Sequence, residues 1–220
     1  MPLKAIQQFI TNPAVMTAWV LLVLTSLAVL VYDLRTNNTE LPSLMQFVWS
    51  LTVLYSGPLG LGLYYYAGRT QISHDSLWRK AGRSVAHCYS GCGMGEIVGV
   101  TIAAGLLALH TVGVAFVTFT FAYIAGFALT VGPLMQEGVG FREAVMDAFW
   151  SETPSITVME VVAIGTDIWL AGEAKMHEPL FWAALVVSLT IGLLAAYPVN
   201  VFLIMRGVKE GMGNPAEMGA

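Results

Sequence analysis

Charge is scarce in this sequence: Asp, Glu, Lys and Arg together make up 11% of its 220 residues. A soluble domain carries roughly twice that share, so a water-facing globule is excluded. The ten Lys and Arg residues form no long run, which excludes a nucleic-acid-binding surface. Two cysteines are too few for a disulfide scaffold. Also missing are the i,i+4 histidine and carboxylate patterns of hydrolytic zinc helices, a Gly-rich phosphate loop, and a nucleophile with its base. Apart from the thiol chemistry considered below, the chain reads as a non-enzyme. It has no internal repeat, no long polar stretch that would form a second domain, and no signal-peptide cleavage site after its first apolar block.

Apolar residues are abundant: 56% of the chain is hydrophobic and its mean hydropathy is +0.70. They fall into six blocks, 14–32, 44–67, 85–109, 111–135, 155–171 and 180–205, most of them near the ~20 residues that cross a ~30 Å hydrocarbon layer. The pattern predicts an all-α, single-domain bundle of about six transmembrane helices in a lipid bilayer, with a flexible tail over 207–220. Between the fourth and fifth blocks, Phe141, Val145 and Phe149 recur every four residues opposite Arg142, Glu143 and Asp147. That periodicity predicts a short amphipathic helix in the membrane interface, ended by a Thr153 cap with Pro154 in the next first turn. Trp19, Trp49, Trp150, Trp169 and Trp182 lie mostly near block ends, as interfacial anchors do. With six crossings, Lys4, Arg69, Arg79, Lys80, Arg83, Arg142, Arg206 and Lys209 share one side, against Arg35 and Lys175 on the other. Cationic loops stay in the cytoplasm, so both termini are expected there.

The segment 87–96, His-Cys-Tyr-Ser-Gly-Cys-Gly-Met-Gly-Glu, holds both cysteines. On a helix, Cys92 stands about 40° and Glu96 about 80° from Cys88, so two thiols and a carboxylate share a face. Gly91, Gly95 and Gly99 fall on the same side, where a second helix can approach closely, within one protomer or between two copies of a homo-oligomer. For the cysteines, packing and chemistry are both open. A carboxylate in mid-span costs about 2.5–3.5 kcal/mol on insertion scales and packing has no use for one, so Glu96 is read as a metal ligand or a proton carrier. His87 points almost opposite Glu96 on a regular helix; it joins the same site only if the glycine-rich turn unwinds.

The fifth block carries Glu160 and Asp167, seven residues apart and within about 20° on one face. Met159 beside them is either a soft ligand or core filler. In the sixth block Pro198 frees the carbonyl of Leu194, and Asn200 brings an amide close by. This is either a polar site or a bend. His74, His110 and His177 fall in connections and are expected to be solvated.

These stretches resemble an uncharacterised prokaryotic membrane family, catalogued as domain of unknown function four-three-nine-six. The likeness rests on His-Cys-x-x-Gly-Cys-x-x-Gly plus an acid at 87–96, on 155–160, and on Tyr-Pro-x-Asn at 197–200 with 207–212. Glu96 stands where the pattern has Asp, one methylene longer. The resemblance implies a multi-pass protein of the prokaryotic inner membrane whose third, fifth and sixth blocks form one intramembrane site. It names no activity.

Three functions follow as expectations. The first is binding or transport of a soft metal ion, copper before zinc or iron, with Cys88, Cys92, Glu96 and His87 as ligands and a metallochaperone as partner. The second is a membrane thiol-disulfide oxidoreductase that uses the cysteine pair, against which the Cys-x-x-x-Cys spacing and the reducing cytoplasmic face weigh. The third is a proton-coupled small-solute transporter in which Glu96 and Glu160 carry protons.

Overall fold

The computed structural model describes residues 2–136 and 138–218, and all regular structure among them is helical. The elements are α1 (Leu3–Ile10), α2 (Pro13–Thr36), α3 (Ser43–Ser56), α4 (Pro58–Ala67), α5 (Leu77–Val100), a wide π-helical turn (Thr101–Leu106), α6 (Thr111–Gln136), α7 (Phe141–Ala171), α8 (Pro179–Met205) and one short turn, α9 (Pro215–Met218). Four of these, α2, α6, α7 and α8, are long and apolar enough to cross a membrane. They point to a membrane protein, but not to the six crossings expected.

The block 44–67 is a correction, because it is a hairpin and not a span. Pro58 has no amide hydrogen and its ring disfavours a helical residue before it. Gly57 takes up φ +55° there, a conformation that residues with side chains rarely adopt, and the chain turns back. Its tip rests on Trp19 and Val23 of α2. At the other end Trp49 and Tyr64 meet edge to face at 5.5 Å. Asn38, just past α2, donates to the Tyr64 hydroxyl (2.9 Å) and to the Gly68 carbonyl (3.2 Å). Both arms therefore start and finish beside the C-terminus of α2. Trp49 is fully buried in this hairpin, not an interfacial anchor.

The third block also shifts. Its helix, α5, begins at Leu77, where the Ser76 hydroxyl accepts from the Arg79 amide (3.3 Å), and gives way after Val100 to the π-helical turn. Arg79, Lys80, Arg83 and Glu96 make α5 unfit to face lipid, and the fold encloses it: every residue from 81 to 93 is buried.

The interfacial helix expected before the fifth block is corrected as well. Phe141–Ala171 is one continuous helix of 31 residues, about 46 Å long and so longer than the hydrocarbon layer. Pro154 lies inside it on the exposed side, while Ala148, Glu152, Ser155 and Ile156 are buried on either side of the proline. Packing of that inner face holds the helix through the missing backbone bond. Thr153 caps nothing; its Oγ1 shares a hydrogen bond with the Tyr123 hydroxyl at 2.7 Å.

The two ends of the bundle are set by contacts. Gln7 of α1 donates to the Leu170 carbonyl at the end of α7 (2.9 Å), and Leu3, Ile6 and Ile10 pack on Leu170, Ala171 and Ala184. The segment after α8 packs at the other end, where the Met212 amide donates to Ser84 Oγ (2.9 Å). The N-terminal helix and the C-terminal segment thus lie at opposite ends, whereas a six-crossing chain would place them together. Arg35 and Lys4 simply exchange sides in the charge count. Eight basic residues still share one end, and Lys4 and Lys175 share the other.

Single cysteines at Lys4→Cys and Glu210→Cys, in a Cys88→Ser plus Cys92→Ser background, are expected to react with a membrane-impermeant maleimide from opposite faces of sealed vesicles. Labelling of both from one face would restore an even number of crossings.

Candidate functional site

The site begins with a backbone contact. A Cβ added at Gly91 would meet Gly126 Cα at 2.8 Å, at Gly95 Ala122 Cα at 2.6 Å, and at Gly99 Thr118 Cα at 2.8 Å. The three glycines thus let α6 lie directly against α5, and the stripe is filled by the same chain. Cys92 sits in this seam, its Sγ 2.8 Å from where a Cβ on Gly126 would stand.

Cys88 and Cys92 are free, buried thiols with sulfurs 3.9 Å apart. Glu160 of α7 neighbours the Cys92 thiol, and Glu96 stands one turn beyond Cys92 on α5. Glu160 is 0% and Glu96 2% exposed. Among the described residues Oε2 of Glu96 and both oxygens of Glu160 lack a hydrogen bond of good geometry, although the Cys92 thiol, a weak donor, stands next to Glu160. A carboxyl group shut away from water in this condition has an unmet demand that a proton or a cation can satisfy. Both thiols and both carboxyls, from α5 and α7, are thus buried in the interior.

Other expected members separate from this centre. His87 is buried on the side facing α6, with Nε2 3.2 Å from the Leu129 carbonyl and Nδ1 unpartnered. Among the described residues no three His, Cys, Asp or Glu side chains converge in metal-binding geometry, so the four expected ligands do not form a ready-made cage. Met159 packs its side chain and carbonyl against Gly192 of α8. Pro198 lies on the outer surface with Leu194, away from buried Asn200, inside a helix that continues through it. Asn200 donates to Ser155 Oγ (2.6 Å) and to the Ala196 carbonyl (3.0 Å), with its own Oδ1 unpartnered.

Toward the α1 end, a cavity of about 940 Å³ opens among α5, α6, α7 and α8. Glu96 and Thr118 line its depth and Asp167 its wall, while His110, Lys175 and His177 stand exposed at its mouth. At the other end the C-terminal segment is tied to the bundle. Lys209 folds back to Glu152 of α7 at 2.7 Å, both side chains less than a tenth exposed. Arg83, wholly buried, donates from Nε to the Met212 carbonyl (3.1 Å) and from Nη1 to the Ala67 carbonyl (3.2 Å), and pairs with Asp75. Partial burial pushes the Asp75 carboxyl up, but the Arg83 guanidinium and the Ser76 amide outweigh it and hold it below the usual carboxylate range. The expected flexible tail is thus a strap over 207–218; residues 219 and 220 lie outside the described residues.

Sequence reasoning missed Glu152 and Lys209. Glu152 sat in an expected loop and Lys209 in an expected tail beside Arg206 and Glu210, and nothing in the sequence singled out this pair. Removing one partner of a buried ion pair costs about 3–5 kcal/mol, while replacing both is far less harmful. Lys209→Met is therefore expected to lower the thermal midpoint in detergent, and Glu152→Leu added to it to recover most of the loss. Equal losses in the single and double variants would show that the pair is not what holds the strap.

No curated protein and no solved structure matches the chain. A family does: the one described as Domain of unknown function (DUF4396) matches residues 77–209. That stretch runs from the first residue of α5 to Lys209 and so contains Glu96, Glu160, both cysteines and the pair that closes the strap. The chain belongs to this family of unknown function.

Proposed function

We propose that the protein is a multi-pass transporter of the prokaryotic inner membrane that couples proton movement to the passage of a small solute or ion. Glu96 and Glu160 are the proton-carrying pair. The observation that carries this reading is the burial of one carboxyl on α5 and one on α7, with three of their oxygens lacking a well-formed hydrogen bond among the described residues. Packing supplies no reason to keep two such groups in an apolar interior, where each is costly. The remainder supports it. One carboxyl lines an open cavity, and at the far side a buried ion pair ties the C-terminal segment to α7, an arrangement that suits a carrier open to one face. In this reading α2 and α5–α8 give five crossings. The basic end, with the strap, faces the cytoplasm, and α1 lies on the outer face.

A second reading is favoured by the thiol pair beside Glu160. Two soft sulfurs and one carboxyl suit a copper ion, or zinc or iron, in passage more than in residence, with a metallochaperone on one side. The redox reading has less support, since thiol exchange needs access for an attacking thiolate and these sulfurs have 1% exposure or less.

Infrared difference spectra of the purified chain after a pH jump separate these readings. Two carboxyl C=O bands are expected to change, one lost in Glu96→Gln and the other in Glu160→Gln, with both kept in Cys88→Ser plus Cys92→Ser. Spectra unaltered by the two Gln substitutions would remove proton coupling. A tenfold or greater loss of Cu(I) or Zn(II) binding in the double Ser variant, with the carboxyl bands silent, would select the metal reading.

A further inference from the structure

The cavity at the α1 end also limits what it can receive. We infer that it is a binding site for an organic cation with an apolar body, of the amine or quaternary-onium class, whose charge is met by Glu96 and Asp167. This rests on the proton-coupled reading and adds the substrate class to it.

Size comes first. At about 940 Å³ the space is at the upper end of the range for small-molecule pockets, many times what a bare ion needs. Charge comes second. Glu96 and Asp167 line the interior, and the one Lys or Arg among the lining residues, Lys175, is exposed at the mouth. An anion would face two acids with no cation at depth. Unmet polar demand comes third. Glu96 Oε2 and Thr118 Oγ1, on residues 2% and 4% exposed, both lack partners and both line the cavity. The walls come last: Val100, Val114 and Phe181 are apolar, and an aromatic face attracts an onium centre within about 6 Å. A hydrated metal ion gains nothing from such walls, and no three donors of the metal-binding kind converge there among the described residues. A cation that carries its own apolar surface satisfies both the walls and the acids. Because Glu96 lines the cavity and is also the proposed proton carrier, cation and proton compete for one carboxyl.

The probes are tetraphenylphosphonium and tetraphenylborate, which share a shape and differ in the sign of charge, applied to the full chain in detergent with binding read by calorimetry. Saturable binding of tetraphenylphosphonium is expected, weakened at least tenfold by Glu96→Gln and severalfold by Asp167→Asn, a milder change on the cavity wall. Tetraphenylborate should show no binding that either substitution alters. Equal binding of both probes, or tetraphenylphosphonium binding indifferent to both substitutions, overturns the site and identifies simple partition into an apolar space. The two levels fail separately. Glu96-dependent cation binding without proton release keeps the site and removes the coupling, whereas carboxyl bands that titrate without any cation binding keep the coupling and remove the site.

Discussion

The direct contact of the α5 and α6 backbones underlies everything else in this molecule. A helix with three basic residues and a glutamate is unacceptable to lipid, so α5 must be sheathed on all sides. Gly91, Gly95 and Gly99 remove the side chains that would hold α6 away, and Ala122, Gly126 and Thr118 answer them with small surfaces. Without a strong hydrophobic drive between helices in lipid, association depends on close van der Waals fit of this kind. The seam that results leaves room for two thiols and little else, and it fixes the height at which Glu96 faces α7.

Around this seam the polar groups are graded along the bundle. Glu152, Glu160 and Asp167 follow one another on α7 at intervals of about 12 and 10 Å, and Glu96 shares a cavity with the last of them. At the strap end the acid is paired with Lys209; in the middle the acids are unpaired; at the other end Asp167 borders open space. The protein thus passes from a neutralised end, through an electrostatically unsettled centre, to a mouth in contact with the surroundings.

Much of this was legible beforehand, and the failures have physical causes. The grouping of Cys88, Cys92 and Glu96, and the alignment of Glu160 with Asp167, follow from helical periodicity, which survives burial unchanged. The glycine stripe was visible for the same reason. Hydropathy, by contrast, is blind to direction. The block 44–67 is as apolar as a span, and only the Gly57-Pro58 pair says that the chain turns back. Pro154 misled in the opposite sense: it reads as a helix start, yet the buried face of α7 carries the helix through. Lys209 was misjudged because a polar residue after the last span has the composition of a loose end, and only its distant partner on α7 gives it a place.

The hairpin of α3 and α4 lies ahead of the stretch that the family shares. That stretch, 77–209, contains α5 to α8, three of which are long and apolar enough to cross a membrane. The segment before it adds α2, a fourth such helix, and a hairpin that turns back at Gly57. Here it delivers α1 onto Leu170 and Ala171, at the rim of the vestibule, so that an appendage at the front of the chain sits at the doorway of a chamber built entirely by its later part.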